Sequence, residues 1–256
     1  GAGRAREDAR AMIRAVTVDF WGTLMFDPPS SDNRYKQKRL MDFETILRSA
    51  GLAVTPKALD RAYEESGRFL GRLWRTCKDV PVQGHVAAIL EALEPGLPGR
   101  LGSGALAALV QAYANPALLV PPTPDLSAGG ALAALAAQGT ILCVIANTMR
   151  TPGVVLRKVL DRYGLLAPFK LLTFSDECGV RKPDPEIFHL TLRQIGLAPA
   201  EAVHVGDDPV LDVQGAQGAG LRAIQVTATP LAALRRKPDA VIRQLGDLPA
   251  ALSQLP

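Results

Sequence analysis

The chain has 256 residues, 48% of them hydrophobic, and carries 29 basic against 25 acidic side chains for a net charge of +4. That length buries a full core and leaves room for an inserted subdomain, while no stretch reaches the roughly 18 unbroken apolar residues of a membrane span. Acids are interspersed among the arginines, which argues against a nucleic-acid partner and leaves a weakly positive field suited to a small anionic substrate.

Residues 1–14 are arginine-rich without an apolar block, so the expectation is a frayed or helical N-terminal extension and no secretory leader. Strand-like runs at 15–19, 141–146, 171–174, 202–205 and 223–226 alternate with helical patterns, which predicts a parallel α/β sheet. Their apolar continuity predicts that both faces are covered. From 27 to 124 the pattern changes to helices separated by Gly and Pro turns, with no clear strand. Leu40, Phe43, Ile46 and Leu47 recur at helical spacing in 34–50, and 56–73 and 86–93 behave alike. Prolines at 28–29 and at 121, 122 and 124 bracket this insertion as hinges. The expected organisation is therefore an extension (1–14), an α/β core (15–26 and 125–256) and an inserted helical unit (27–124). Residues 96–104 read as a loop; Gln138 and Gly139 divide 130–145 into helix, turn and strand.

Cys77, Cys143 and Cys178 lack metal-ligand spacing and read as reduced thiols of a cytoplasmic protein. The chemistry gathers elsewhere. The first strand, Val16-Thr17-Val18, delivers Asp19 into the turn Trp21-Gly22-Thr23; a carboxylate ending a buried strand is costly unless paired, so Asp19 reads as functional. A later strand ends in Gly206-Asp207-Asp208 with Asp212 following, and between the two lies Arg181-Lys182-Pro183-Asp184-Pro185, a lysine on a proline-stiffened loop. Hard oxygen ligands select Mg²⁺, and an ammonium neutralises what the metal leaves over, so this set suits a metal facing an anionic substrate. In open parallel sheets the ligand crevice lies at the carboxyl ends of the strands, where Asp19, Asn147 and Asp207 all fall.

These segments, in this order, resemble the haloacid dehalogenase-like (HAD) hydrolase superfamily over about residues 15–227. The resemblance implies a Rossmann-like core with a helical cap that closes over the active site. It makes Asp19 a nucleophile forming a covalent aspartyl intermediate, Thr23 the residue that orients its turn, and Lys182 the group that steadies it. Asp19, Asp207 and Asp212 would hold Mg²⁺, and Trp21, Asn147 and Thr148 would face the substrate. Two positions depart from the phosphatase pattern. Trp21 replaces the aspartate that normally shuttles a proton, a function worth about 10²–10⁴ in rate; indole only donates a hydrogen bond, and the 2-haloacid dehalogenases are similar in placing an aromatic residue here. Ala146 replaces a phosphate-binding hydroxyl, a loss of about 1.5–3 kcal/mol that Thr148 is expected to compensate.

The expected function is a Mg²⁺-dependent phosphatase acting on a small phosphorylated metabolite through an aspartyl-phosphate, as monomer or homodimer. The alternatives are a 2-haloacid dehalogenase working through an aspartyl ester, and a catalytically weakened homologue that binds a ligand or protein. Lacking the usual acid, the phosphatase would favour good leaving groups or borrow a proton from water or a cap residue. Among neighbouring residues, Arg181 is expected to point outward, Arg34, Tyr35, Lys38 and Arg39 to form a solvated basic helix face, Trp74, His85 and Tyr113 to belong to the insertion's core or surface, and His204 to be a packed strand residue and not a metal ligand.

Overall fold

A computed structural model describes residues 12–227 and 237–255. Residues 1–11, most of the expected N-terminal extension, lie outside the described residues, as do 228–236 of the core. The strands are β1 (Ala15–Val18), β2 (Met25–Phe26), β3 (Thr123–Pro124), β4 (Ile141–Ala146), β5 (Phe169–Phe174), β6 (Ala202–Gly206), β7 (Arg222–Val226) and β8 (Ala240–Ile242). Six of them form one parallel sheet in the order β5-β4-β1-β6-β7-β8. The expected α/β fold, a Rossmann-like parallel sheet, is thus the observed one, extended by β8, a three-residue strand too short to stand out in the sequence.

β1 lies between β4 and β6, and the chain winds outward from it in both directions. Its residues alternate between faces, as a strand requires. Val16 and Val18 pack with Leu132, Leu156 and Leu248 on one side, whereas Ala15 joins Ile187, Phe188 and Leu192 on the other. Helices Ala128–Ala137 and Gly153–Arg162 cover the first face and Pro185–Ile195 the second. Double coverage explains the unbroken apolar character of the strands. The reversal of strand order at β1 opens a crevice at the carboxyl ends of β4, β1 and β6.

Residues 31–119 are helical and form a separate hydrophobic cluster around Phe43, Leu47, Leu59, Leu90, Leu109 and Tyr113. Helix Pro56–Arg75 begins at Thr55, whose Oγ1 accepts the Ala58 N–H at 3.2 Å, with Pro56 supplying a preset φ in the first turn. Helix Ser31–Ser49 buries Tyr35, Arg39, Phe43 and Leu47, a strict four-residue stripe. Arg39 is only 3% exposed, which corrects the expected solvated face; its spacing from Tyr35 and Phe43 outweighs its polarity. Arg34 and Lys38 do face outward, with Lys38 paired to Asp42 at 2.5 Å. The stretch read as a loop at 96–104 holds a helical turn, Leu97–Arg100, and the start of helix Ser103–Ala114.

The two chain crossings between core and insertion are fastened together. β2 and β3 pair antiparallel, Met25 with Pro124 and Phe26 with Thr123. Two residues per strand leave no periodicity to read, and Pro124 counts against strand in isolation, so only the folded chain reveals this ribbon.

Candidate functional site

β1 ends at Val18, and the Asp19 N–H continues the ladder to Val205 O at 2.8 Å. The chain then turns tightly, Leu24 and Met25 N–H both returning to Phe20 O. Gly22, at φ +74°, is required twice: its backbone is left-handed, and a Cβ there would lie 2.5 Å from Asp207 Oδ2. Gly206 is required for a similar reason, since a Cβ would lie 2.2 Å from Asp212 Cγ. Both glycines hold space for carboxylates.

Asp19, Asp207 and Asp212 offer oxygens that all lie within 4.8 Å of one another. Lys182 bridges two of them. Its Nζ donates to Asp19 Oδ1 and to Asp212 Oδ1, each at 2.6 Å, and to Ile145 O at 3.0 Å. The lysine loop is clasped from β4's end by Asn147, whose Nδ2 donates to Lys182 O (3.0 Å) and whose Oδ1 accepts the Lys182 N–H (2.8 Å). Asn147 therefore positions the lysine through one donor and one acceptor of its amide.

His204 faces Thr17 across the β1–β6 register. Its Nδ1 lies 2.8 Å from Thr17 Oγ1 and its Nε2 3.1 Å from Asp212 Oδ1. An ionised carboxylate only accepts, so Nε2 carries the proton and Nδ1 accepts from the hydroxyl. Burial keeps the ring neutral by lowering its pKa. The packed histidine read from the sequence is thus also a fixed support for Asp212. Asp212 Oδ2 accepts the Asp208 N–H at 2.9 Å, while the Asp208 carboxylate caps the following turn by accepting from Val210 and Leu211 N–H.

The acids titrate apart. Burial and then the Asp212 charge push Asp19 up to about 7, against the lowering pull of Lys182. Burial and Asp212 likewise push Asp207 up to about 6. Burial acts upward on Asp212 too, but Lys182 and the His204 hydrogen bond hold it below the ordinary carboxylate range. Burial disfavours the charged lysine, and the two carboxylates offset that and raise its pKa. Asp212 has donors that Asp19 lacks, so the shortage of positive charge falls on Asp19 and Asp207. A divalent cation would remove it, and the all-oxygen donor set fits Mg²⁺.

Two polar atoms of the turn after Asp19, Trp21 Nε1 and Thr23 Oγ1, are buried without a partner among the described residues. Both are donors that a water or a ligand's acceptor could satisfy. Thr23 makes no bond to Asp19. Nor does Thr148 replace the hydroxyl absent at Ala146: its Oγ1 lies 3.1 Å from Ser175 Oγ and accepts the Asp176 N–H at 3.2 Å.

Arg181 corrects a second expectation. It is 5% exposed, donating through Nη1 to Asp79 Oδ2 and Thr148 O, both at 2.5 Å, and stacking on Trp74 at 4.4 Å. Asp79, which nothing in the sequence distinguished, is also fully buried in its side chain. Its Oδ1 accepts from Trp74 Nε1 and Val80 N–H, and its Oδ2 from Ser175 Oγ at 2.6 Å. Backbone pairing adds Asp79 N–H to Gly179 O and Arg181 N–H to Cys77 O. The helical insertion is therefore moored to the residue preceding Lys182.

A cavity of about 450 Å³ separates insertion from core, bounded on the core side by Trp21, Met149, Arg150 and Thr151. Trp21, two residues beyond Asp19, forms part of its wall.

Comparison with known proteins agrees with this geometry. The sequence model of the haloacid dehalogenase-like hydrolases matches residues 13–220. A phosphoserine phosphatase of Thermus thermophilus is 44% identical over 84 residues, 32% of this chain and 34% of that protein. A phosphoglycolate phosphatase of Pectobacterium atrosepticum is 35% identical over 96 residues, 38% of this chain and 39% of that protein. The chain thus matches little more than a third of the length of these curated relatives. A 2-haloacid dehalogenase from Pseudomonas syringae superposes with a TM-score of 0.69 at 26% identity, covering 95% of this chain and 99% of that one. The chain belongs to the haloacid dehalogenase-like hydrolases.

Proposed function

We propose that the chain is a Mg²⁺-dependent phosphatase acting on a small phosphorylated metabolite through an aspartyl-phosphate on Asp19. The observation that carries this reading is the acidic nest itself: three carboxylates bring oxygens within 4.8 Å of one another, and Lys182 is bonded to only two of them, Asp19 and Asp212. A haloacid substrate brings no cation to these carboxylates, whereas a divalent ion held by them would offset their charge.

Asp19, Asp207 and Asp212 would hold the ion, Asp212 through the Oδ2 lone pair not taken by the Asp208 N–H, its Oδ1 being engaged by Lys182 and His204. Bound Mg²⁺ supplies neutralisation of the phosphoryl oxygens and of the nest. The free oxygen of Asp19 attacks phosphorus in line while Lys182 holds the other oxygen and fixes the carboxylate's orientation. Thr23 Oγ1 and Trp21 Nε1 are the unengaged donors on the turn that carries the nucleophile. Water then cleaves the aspartyl-phosphate and restores Asp19. The helical unit at 27–124 acts as the cap, closing the 450 Å³ cavity over the substrate's remainder. The phosphatase relatives support the same chemistry.

Trp21 and the likeness to the Pseudomonas dehalogenase support a second reading, halide expulsion through an aspartyl ester. One assay separates the two. Phosphate and halide release are followed on phosphate esters, acyl phosphates and 2-haloacids, with and without Mg²⁺, using Asp19→Asn as control. Magnesium-dependent phosphate release that vanishes in the control is the expected result; metal-independent halide release would replace the reading with the second.

A further inference from the structure

Building on the phosphatase reading, we infer that Asp79, which belongs to the helical insertion, is a positioning residue for Lys182, so that the lysine holds Asp19 in its reactive orientation only while the insertion is docked on the core. The partners of Asp79 lie outside the acidic nest, and it acts through a relay of hydrogen bonds that ends on the lysine's backbone.

The last link is the clasp of Asn147 on the Lys182 N–H and carbonyl. That clasp depends on the placement of the next residue, Thr148, which is gripped at both backbone groups. Its N–H donates to Ser175 Oγ at 2.8 Å, and its carbonyl accepts from Arg181 Nη1 at 2.5 Å. The same two side chains converge on one atom of the insertion: Asp79 Oδ2 accepts from Ser175 Oγ at 2.6 Å and from Arg181 Nη1 at 2.5 Å. Ser175 Oγ accepts from Thr148, so its own proton goes to Asp79. One carboxylate oxygen therefore sets both grips.

The other oxygen serves the insertion, Oδ1 accepting from Trp74 Nε1 at 3.1 Å and from Val80 N–H at 2.9 Å. Mooring alone does not require this division. Apolar residues of similar volume hold two elements together as well as a buried ion pair, because they escape its desolvation cost. What the charged pair adds is a fixed direction for each donor. Here that direction is imposed on the residue before Lys182 and on the residue after Asn147, the two ends of the clasp.

Asp79→Asn is a selective probe. The two donors at Oδ1 keep the amide oxygen in that place and turn its NH2 toward Ser175 and Arg181, which need an acceptor. Arg181→Met then removes the cation left unpaired, the main cost of breaking a buried pair, so the double variant keeps its stability and lacks the relay. With Mg²⁺ and 4-nitrophenyl phosphate, kcat per folded molecule should fall about 10–100-fold in each single variant, the scale of a misplaced catalytic group. The double variant should fall to the same level and no further, as members of one relay do, with KM and Mg²⁺ affinity unchanged. Hydrogen exchange followed by NMR should show the Lys182 amide exchanging about tenfold faster or more in the double variant, with the β1 amides as protected as before. Native kcat in the stable double variant, or a Lys182 amide exchanging at its native rate, overturns the inference and leaves the phosphatase reading standing. Absence of Asp19-dependent phosphate release by the native protein, from 4-nitrophenyl phosphate and acetyl phosphate alike, overturns the phosphatase reading, and exchange at the Lys182 amide then decides by itself whether Asp79 positions the lysine.

Discussion

Thr17, His204, Asp212, Lys182 and Asp19 form an unbroken chain of hydrogen bonds through the centre of the sheet. Each link fixes the next, so the orientation of the Asp19 carboxylate is set from β6 as much as from its own strand. His204→Leu removes one donor from Asp212 and should weaken Mg²⁺ binding or turnover by about 10–100-fold, the usual cost of losing a ligand's support; titration calorimetry with Mg²⁺ measures it. Lys182→Met leaves Asp19 and Asp212 buried beside one another without their cation. Breaking a buried pair in this way costs about 3–5 kcal/mol, and the loss, read by urea unfolding, should shrink when Mg²⁺ is added. A loss unaffected by Mg²⁺ would mean that the lysine and the metal do not share these carboxylates.

Segments 77–79 and 179–181 join insertion to core through the buried Asp79–Arg181 pair and two backbone bonds. Asp79→Asn should destabilise by about 3–5 kcal/mol because Arg181 is left buried and unpaired. Coupling in the double-mutant cycle with Arg181→Met tests whether the cost belongs to the pair. His85, on helix Val82–Leu93, reports on the same junction. Burial, despite the Asp79 charge, lowers its pKa to about 4, helped by Arg150 and Arg39. The unfolded chain takes up that proton near pH 6.5, so between about 6.5 and 4 the unfolded state binds more protons and stability falls as pH falls. His85→Gln should lessen the loss between pH 7 and 5 by about 2 kcal/mol, measured by urea unfolding at the two pH values.

Across the molecule, the proposed Mg²⁺ site in the acidic nest would tie folding to metal. A cation that binds only the folded chain stabilises it by about 2.7 kcal/mol at a hundredfold excess over Kd. For a chain of this size that corresponds to a rise in Tm of roughly 5–10 °C. Scanning calorimetry with and without Mg²⁺ should show the rise in the native protein and its loss in Asp207→Asn.

Much of this was legible in the linear chain, and for one reason: strands and catalytic loops are local. Val16-Thr17-Val18-Asp19, Gly206-Asp207 and Lys182 with its prolines each carry their own periodicity and turn chemistry, so the parallel fold and the residues of the acidic nest could be named without coordinates. Relations between distant segments could not. Arg181 and Arg39 look like solvated charges in sequence because polarity is all a single position reveals; both are buried, since the partners that satisfy them lie 102 and 74 residues away. Asp79 and the β2–β3 ribbon gave no signal at all, one being a lone acid on a loop and the other a pair of dipeptides. His204 could be read as packed but not as the support of Asp212, because strand register alone sets it opposite Thr17. Residue type and spacing thus decided which groups can do the chemistry, whereas tertiary packing decided which of them are free to do it, because burial and hydrogen-bond partners are properties of the folded chain.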